Sequence, residues 1–199
     1  MAKIIYKKGC EGQNKLSCIE GIEIDILTGQ KALIYPQYAF LEILKDPDEW
    51  GAPVKSLTEA LKVTETREAT MDLLKHRSRA ALWVTQFKSD RRGPFCLPSL
   101  AAVIEFRYQR KEIDALAKTI EGAHLLQNNY NNIWSCSRYD TNYCWATLDN
   151  NELAFYWTMK QPLLVVPTIL YREPYQDEYN KFDENLTIEH SAQGKIAEV

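Results

Sequence analysis

Five cysteines, three histidines and two acidic groupings are the residues of this chain whose types could do chemistry. Cys136 and Cys144, eight residues apart among aromatics, could serve as a thiol pair for a soft metal or an oxidation. Structural zinc prefers tight ligand pairs, which Cys10, Cys18, Cys96, Cys136 and Cys144 do not form. Reduced, mostly buried thiols are therefore expected. A Cys10–Cys18 loop clip and a Cys136–Cys144 hairpin bridge are the alternatives that an oxidising compartment would favour. Asp46, Asp48 and Glu49 offer oxygen ligands in one loop, without the spacing and glycine of a calcium loop. Glu23 and Asp25 alternate with isoleucines and read as the solvated face of a strand rather than a metal pair. His76 lies between Lys75 and Arg77 at a solvated edge, and no nucleophile pattern accompanies His124. The expectation is a chain with no catalytic residue, no metal and no cofactor.

Contact chemistry is richer. From Asn128 to Trp157 the chain sets Trp134, Tyr139, Tyr143, Trp145, Tyr156 and Trp157 among Ser, Thr, Asn and Asp. Rigid aromatics give contact area and short polar groups give adaptable hydrogen bonds, the composition of a recognition surface. Trp134 and Trp145 are expected as core pillars, because large aromatics dominate small cores. Tyr139, Asp140, Asn142, Tyr143, Asn150, Tyr156 and Trp157 are the candidate ligand-binding residues.

The elements that must position this segment follow from periodicity. Lys3 to Tyr6 reads as a short strand, and Cys18 to Ile26 as a half-buried one, with Ile22, Ile24 and Ile26 inward and Glu23 and Asp25 in solvent. Thr28-Gly29-Gln30 turns it into a return strand, Lys31 to Tyr35, which Pro36 ends. Tyr38 to Leu44 continues as a strand or short helix. The loop 45–53, with two prolines and a glycine, is the best internal boundary. One long helix is predicted over 65–88, its apolar stripe being Ala69, Leu73, Ala80, Val84 and Phe87, with acids early and bases late. Ser99 should cap a helix from Leu100 to Arg110. A second helix, Glu112 to Ile120, presents Ile113, Leu116, Ala117 and Ile120 and stops at Gly122. Trp145 to Leu148 and Leu153 to Trp157 form strands joined through Asp149-Asn150-Asn151, and Leu163 to Tyr171 closes the chain as one strand.

The expected class is α+β: an N-terminal β-hairpin region over 1–49, a main domain over 50–171 and an extended polar tail over 172–199. That tail would need a partner or neighbouring subunit to order it, through Tyr175, Tyr179 and Phe182. At 199 residues and 45% hydrophobic content the chain can bury one proper core. A formal charge of −3 with interspersed signs gives no footprint for nucleic acid or an anionic membrane. The basic N-terminus has no apolar run behind it, and no window approaches a membrane span, so neither a signal peptide nor membrane insertion is expected.

The order of several motifs carries a resemblance. Leu97-Pro98-Ser99-Leu100 opens a helix; Trp134, Ser135, Ser137 and Tyr139 follow; then come Trp145 and a last hydrophobic strand with Val165 and Pro167. This series resembles the Lcl C-terminal domain family, also met as the major paralogous domain of fibrobacters, over residues 50–171. The chain departs from the family pattern at Cys96, which separates Phe95 from Leu97, and at Val166, where an arginine is expected. The resemblance implies a C-type-lectin-like fold: small antiparallel sheets flanked by two or three helices, with late strands and loops as the ligand face.

Three functions are then in play. The first is a non-enzymatic recognition module, adhesin-like or a phage receptor-binding protein, that binds a glycan or protein receptor through the late aromatic loops. A virion location fits the missing signal better than secretion, with a cytoplasmic one the alternative. The second is an assembly-only structural subunit, such as a fibre or decoration protein, contacting other virion subunits as a homo-oligomer. The third, less favoured, is an oxidoreductase of the formylglycine-generating type, which resembles the same broad fold and would use Cys136 and Cys144. Calcium-dependent sugar binding is not expected, since Glu173-Pro174-Tyr175 lies after the closing strand, in the wrong place for a calcium-lectin loop.

Overall fold

The computed structural model describes residues 2–46, 50–126, 132–147 and 154–172. Asp48, Glu49, Asn150, the turn expected at 149–151 and the tail aromatics lie outside the described residues. In chain order the elements are β1 (Lys3–Tyr6), β2 (Ile19–Asp25), β3 (Lys31–Ile34), β4 (Ala39–Leu41), α1 (Leu57–Ala60), α2 (Thr66–Lys75) and α3 (Arg79–Val84). Then come β5 (Lys88–Ser89), β6 (Gly93–Pro94), α4 (Leu100–Tyr108), α5 (Arg110–Ala117), β7 (Trp134–Arg138), β8 (Tyr143–Ala146), β9 (Phe155–Thr158), β10 (Leu163–Val165) and β11 (Thr168–Tyr171). The fold is α+β with small antiparallel sheets. Among the described residues, no helix is long and apolar enough to cross a membrane.

The first sheet has the order β1-β2-β3-β11, so the last described strand lies beside the N-terminal hairpin. Its isoleucines, Ile22 and Ile24 of β2 with Ile34 of β3, face a core shared with Ala102, Val103 and Phe106 of α4 and with Ile113 and Ala117 of α5. Its other face carries Leu33, Ile169 and Tyr171, which pack with Phe95 and with Tyr35 and Phe87, so it is covered as well. Covering both faces overturns the expected solvation of Glu23, which is 3% exposed, whereas Asp25 is exposed as expected. Burying a carboxylate requires partners. Lys3 and Lys31 each place Nζ 3.0 Å from Glu23 Oε1, and the Tyr171 hydroxyl donates to Oε2. Strands this close need a glycine at one point. A Cβ on Gly21 would lie 2.6 Å from the Ile34 carbonyl oxygen.

The single helix expected over 65–88 is two. Arg77 adopts φ 58°, and the amide of Ser78 donates to the Leu73 carbonyl, closing α2 in the manner of a glycine-terminated helix but with arginine in the left-handed position. Ser78 then starts α3, its Oγ accepting from the Ala81 amide at 3.1 Å. The closing strand also divides. β10 pairs with β4 and β11 with β3, the chain crossing between sheets at Val166-Pro167, where proline has no amide for a ladder.

Two other expectations hold in detail. Ser99 caps α4, its Oγ accepting from the Ala102 amide, and Trp134 and Trp145 are 0% and 6% exposed. Every residue of α4 from Leu100 to Phe106 is buried, as befits a helix that is apolar almost all round. Ala102, Val103 and Phe106 serve the first sheet, while Leu100 and Ile104 pack with Trp145 of the late sheet β7-β8-β9.

Candidate functional site

The late sheet has two unlike faces. Trp134, Cys136, Cys144 and Ala146 pack inward with Leu73, Val84 and Leu97, and Trp157 lies against the same cluster. On the other face Trp145 of β8 stands directly opposite Tyr156 of β9 in register, the rings 6.0 Å apart edge to face. Tyr156 stacks on Tyr139 with centroids 3.9 Å apart and planes 11° from parallel, and on Phe155 at 4.6 Å and 13°. Tyr139 and Tyr156 both meet the edge of the buried Trp145, while Phe155, at the start of β9, lies between Tyr156 and Trp157, whose ring it meets at 6.4 Å. Tyr143 meets the edge of Tyr156 at 5.6 Å. Tyr143 and Phe155 are 39% and 40% exposed. Among the described residues, nothing accepts from or donates to the hydroxyls of Tyr139, Tyr143 and Tyr156.

The turn that carries these rings is held by its own polar groups. Asp140 Oδ1 accepts from the amides of Asn142 and Tyr143 at 2.8 and 3.0 Å, so one carboxylate oxygen shapes the turn. Tyr139 and Asp140 both donate through their amides to the Tyr143 carbonyl. Arg138, 6% exposed, donates Nε to the Asp140 carbonyl and Nη1 to the carbonyls of Trp50 and Gly51. Gly51 is anchored in turn by its amide on Asp72 Oδ2 at 2.6 Å. Burial works to raise the Asp72 carboxyl, but the Gly51 amide and Lys75 outweigh it and hold the group below the usual range. Trp145 Nε1 donates to the Val54 carbonyl at 2.7 Å, and the Val54 amide to the Arg138 carbonyl at 2.8 Å.

The serines of the Trp-Ser-x-Ser-x-Tyr series belong to a β-bulge. Trp134 pairs with Ala146 and Arg138 with Cys144, so β7 carries extra residues against β8. Ser135 Oγ donates to the Trp145 carbonyl and accepts from the Ser137 amide. Cys144 Sγ donates to the carbonyls of Ser137 and Ser135 at 3.1 and 3.3 Å. Side chains thereby replace ladder bonds that the bulge removes. Burial pushes the Cys96 thiol up to about 11 and, with Cys96 nearby, the Cys136 thiol up to about 12; the Cys144 thiol is raised by burial and by Cys136. Burial thus disfavours the thiolate, the form that nucleophilic attack and metal ligation need.

Of the residues singled out in the sequence, Tyr139, Tyr143 and Tyr156 come together, with Asn142 exposed beside them and Asp140 shaping their turn. Trp157 does not join them. It sits on the opposite side of β9 with its Nε1 buried and without a partner among the described residues. Two contributors went unpredicted, Phe155 and Arg138. Alternation along β9 did not signal the first, because a period of two pairs Phe155 with Trp157, whose ring it also meets edge to face at 6.4 Å, and not with Tyr156. The second left no local sign, as the carbonyl partners that bury its guanidinium, Trp50 and Gly51, lie 88 and 87 residues away. No family model, curated protein or solved structure matches the chain.

Proposed function

We propose that this chain is a non-enzymatic recognition module with a C-type-lectin-like fold, and that the open face of its late sheet binds a glycan. The observation that carries this reading is the ring stack of Phe155, Tyr156 and Tyr139, edged by Tyr143, with hydroxyls that no described protein group engages. A pyranose offers the matching chemistry: an apolar face of C–H groups for a ring to cover, and hydroxyls at its rim for tyrosine O–H groups. The presence of the first and last described strands in one sheet, at its opposite edges, and the separate late sheet support the lectin-like architecture. The protonated, buried Cys136 and Cys144 favour binding over oxidation chemistry.

The test is an array of immobilised oligosaccharides probed with the purified chain, with and without EDTA. Binding that survives chelation and weakens at least about tenfold in Tyr156→Ala supports the reading, since hot-spot aromatics carry effects of that size. An array without binders, alongside a protein receptor captured through the same tyrosines, would replace the glycan with a protein ligand. Loss of binding in EDTA would contradict the metal-free face.

A further inference from the structure

The loop between β1 and β2 brings together two thiols that the recognition face does not use. Past Tyr6 the strands stay joined through the Lys7 amide, which donates to the Cys18 carbonyl at 3.0 Å. The chain then turns twice, Cys10 N–H to the Lys7 carbonyl at 3.1 Å and Gln13 N–H to the Cys10 carbonyl at 3.0 Å, which folds Cys10 back beside Cys18. The thiols touch. A hydrogen bond with Cys18, aided by slight burial, holds the Cys10 thiol above its ordinary range, and Cys18 Sγ also lies 3.5 Å from Gln13 Oε1. Both are half-buried and reachable from solvent, whereas Cys96, Cys136 and Cys144 are 5%, 2% and 0% exposed.

This loop is clasped to the turn that follows α5, at Glu121. The Leu16 amide donates to the Glu121 carbonyl at 3.2 Å, the Glu121 amide donates to the Asn14 carbonyl at 2.8 Å, and the Tyr35 hydroxyl reaches the Leu16 carbonyl. The clasp contacts fall between Cys10 and Cys18, so a bond between those two residues would close a ring around them.

We propose that Cys10 and Cys18 form a redox-modification site, in which a small-molecule disulfide converts the pair to an intrachain disulfide that latches the loop onto the turn that follows α5. One thiolate attacks a sulfur of oxidised glutathione, forming a mixed disulfide and expelling one glutathione thiolate. The second thiolate attacks the protein sulfur of that mixed disulfide, forming the Cys10–Cys18 bond and expelling the other. Two protein thiols are oxidised, the reagent is reduced to two thiols, and the two protein protons end on them. The site is independent of the proposed glycan face.

The experiment treats the folded chain with oxidised glutathione, quenches with N-ethylmaleimide and maps peptides without reductant. A linked Cys10–Cys18 peptide is expected, with Cys96, Cys136 and Cys144 alkylated only after unfolding. Glutathione retained separately on the two residues, or both left unmodified, overturns the site. Amide exchange at Leu16 and Glu121 should slow about tenfold on oxidation, as for a local opening made rarer. The Cys18→Ser variant should show no slowing. A linked peptide with unchanged exchange overturns the latch.

Discussion

On the four-stranded sheet the buried carboxylate of Glu23 is surrounded by Lys3, Lys31 and the Tyr171 hydroxyl, while on the late sheet the hydroxyls of Tyr139, Tyr143 and Tyr156 engage no described protein group. Both sheets are antiparallel and both pack one face into a core. The difference lies in the second face. That of the first sheet, with Leu33, Ile169 and Tyr171, is closed by Phe95 and Phe87, so each polar group on it must be satisfied within the protein. Among the described residues, that of the late sheet is covered where Trp145 packs with Ala60, Leu100 and Ile104, and it grades outward into Tyr143 and Phe155, which are exposed. The first arrangement leaves no face free, and the second leaves the face to which binding is proposed. α4 joins the two, which fixes the aromatic face to the most buried part of the chain.

The largest effects should come from the closed faces. Trp134→Ala empties the inner side of the late sheet and removes the indole donor to the Leu41 carbonyl, so a loss of about 4 kcal/mol is expected in urea unfolding. A loss under about 1 kcal/mol would mean that this side is not a packed core. Gly21→Ala forces a methyl against the Ile34 carbonyl between β2 and β3, with about 2 kcal/mol expected from the overpacking. A neutral result would mean that the strands separate easily.

Alkaline titration sharpens the contrast further. Unfolded thiols ionise near pH 8.5, whereas burial keeps Cys96 protonated to about 11 and Cys136 to about 12. The unfolded chain therefore binds fewer protons than the folded one across this window. The stabilising contribution is complete below about pH 8.5 and declines as pH rises through it, by at most about 1.4 kcal/mol per pH unit for each thiol. Cys136→Ala should flatten that slope, and an unchanged slope would show that Cys136 is not shielded.

Legibility in the sequence followed locality. The hairpin β2–β3, the Ser99 cap and the buried Trp134 and Trp145 were readable because alternation, capping and aromatic size act over a few residues. The burial of Glu23 was not, since it depends on β11 joining the sheet and on Phe95 covering its face, both from far along the chain. The break at Arg77 escaped because a non-glycine left-handed residue carries no compositional mark. At the candidate site, composition pointed to Tyr139, Tyr143 and Tyr156, but the side that Trp157 takes and the help of Arg138 depend on register and on partners in the loop at Trp50 and Gly51.

The smallest expected effect on stability comes with the most direct test. Tyr143→Ala, measured for urea unfolding and for oligosaccharide binding on one preparation, should keep its stability within about 0.5 kcal/mol, as an exposed substitution does, while binding weakens at least about tenfold. A variant that unfolds readily yet binds as before would contradict the division between a closed scaffold and an open recognition face.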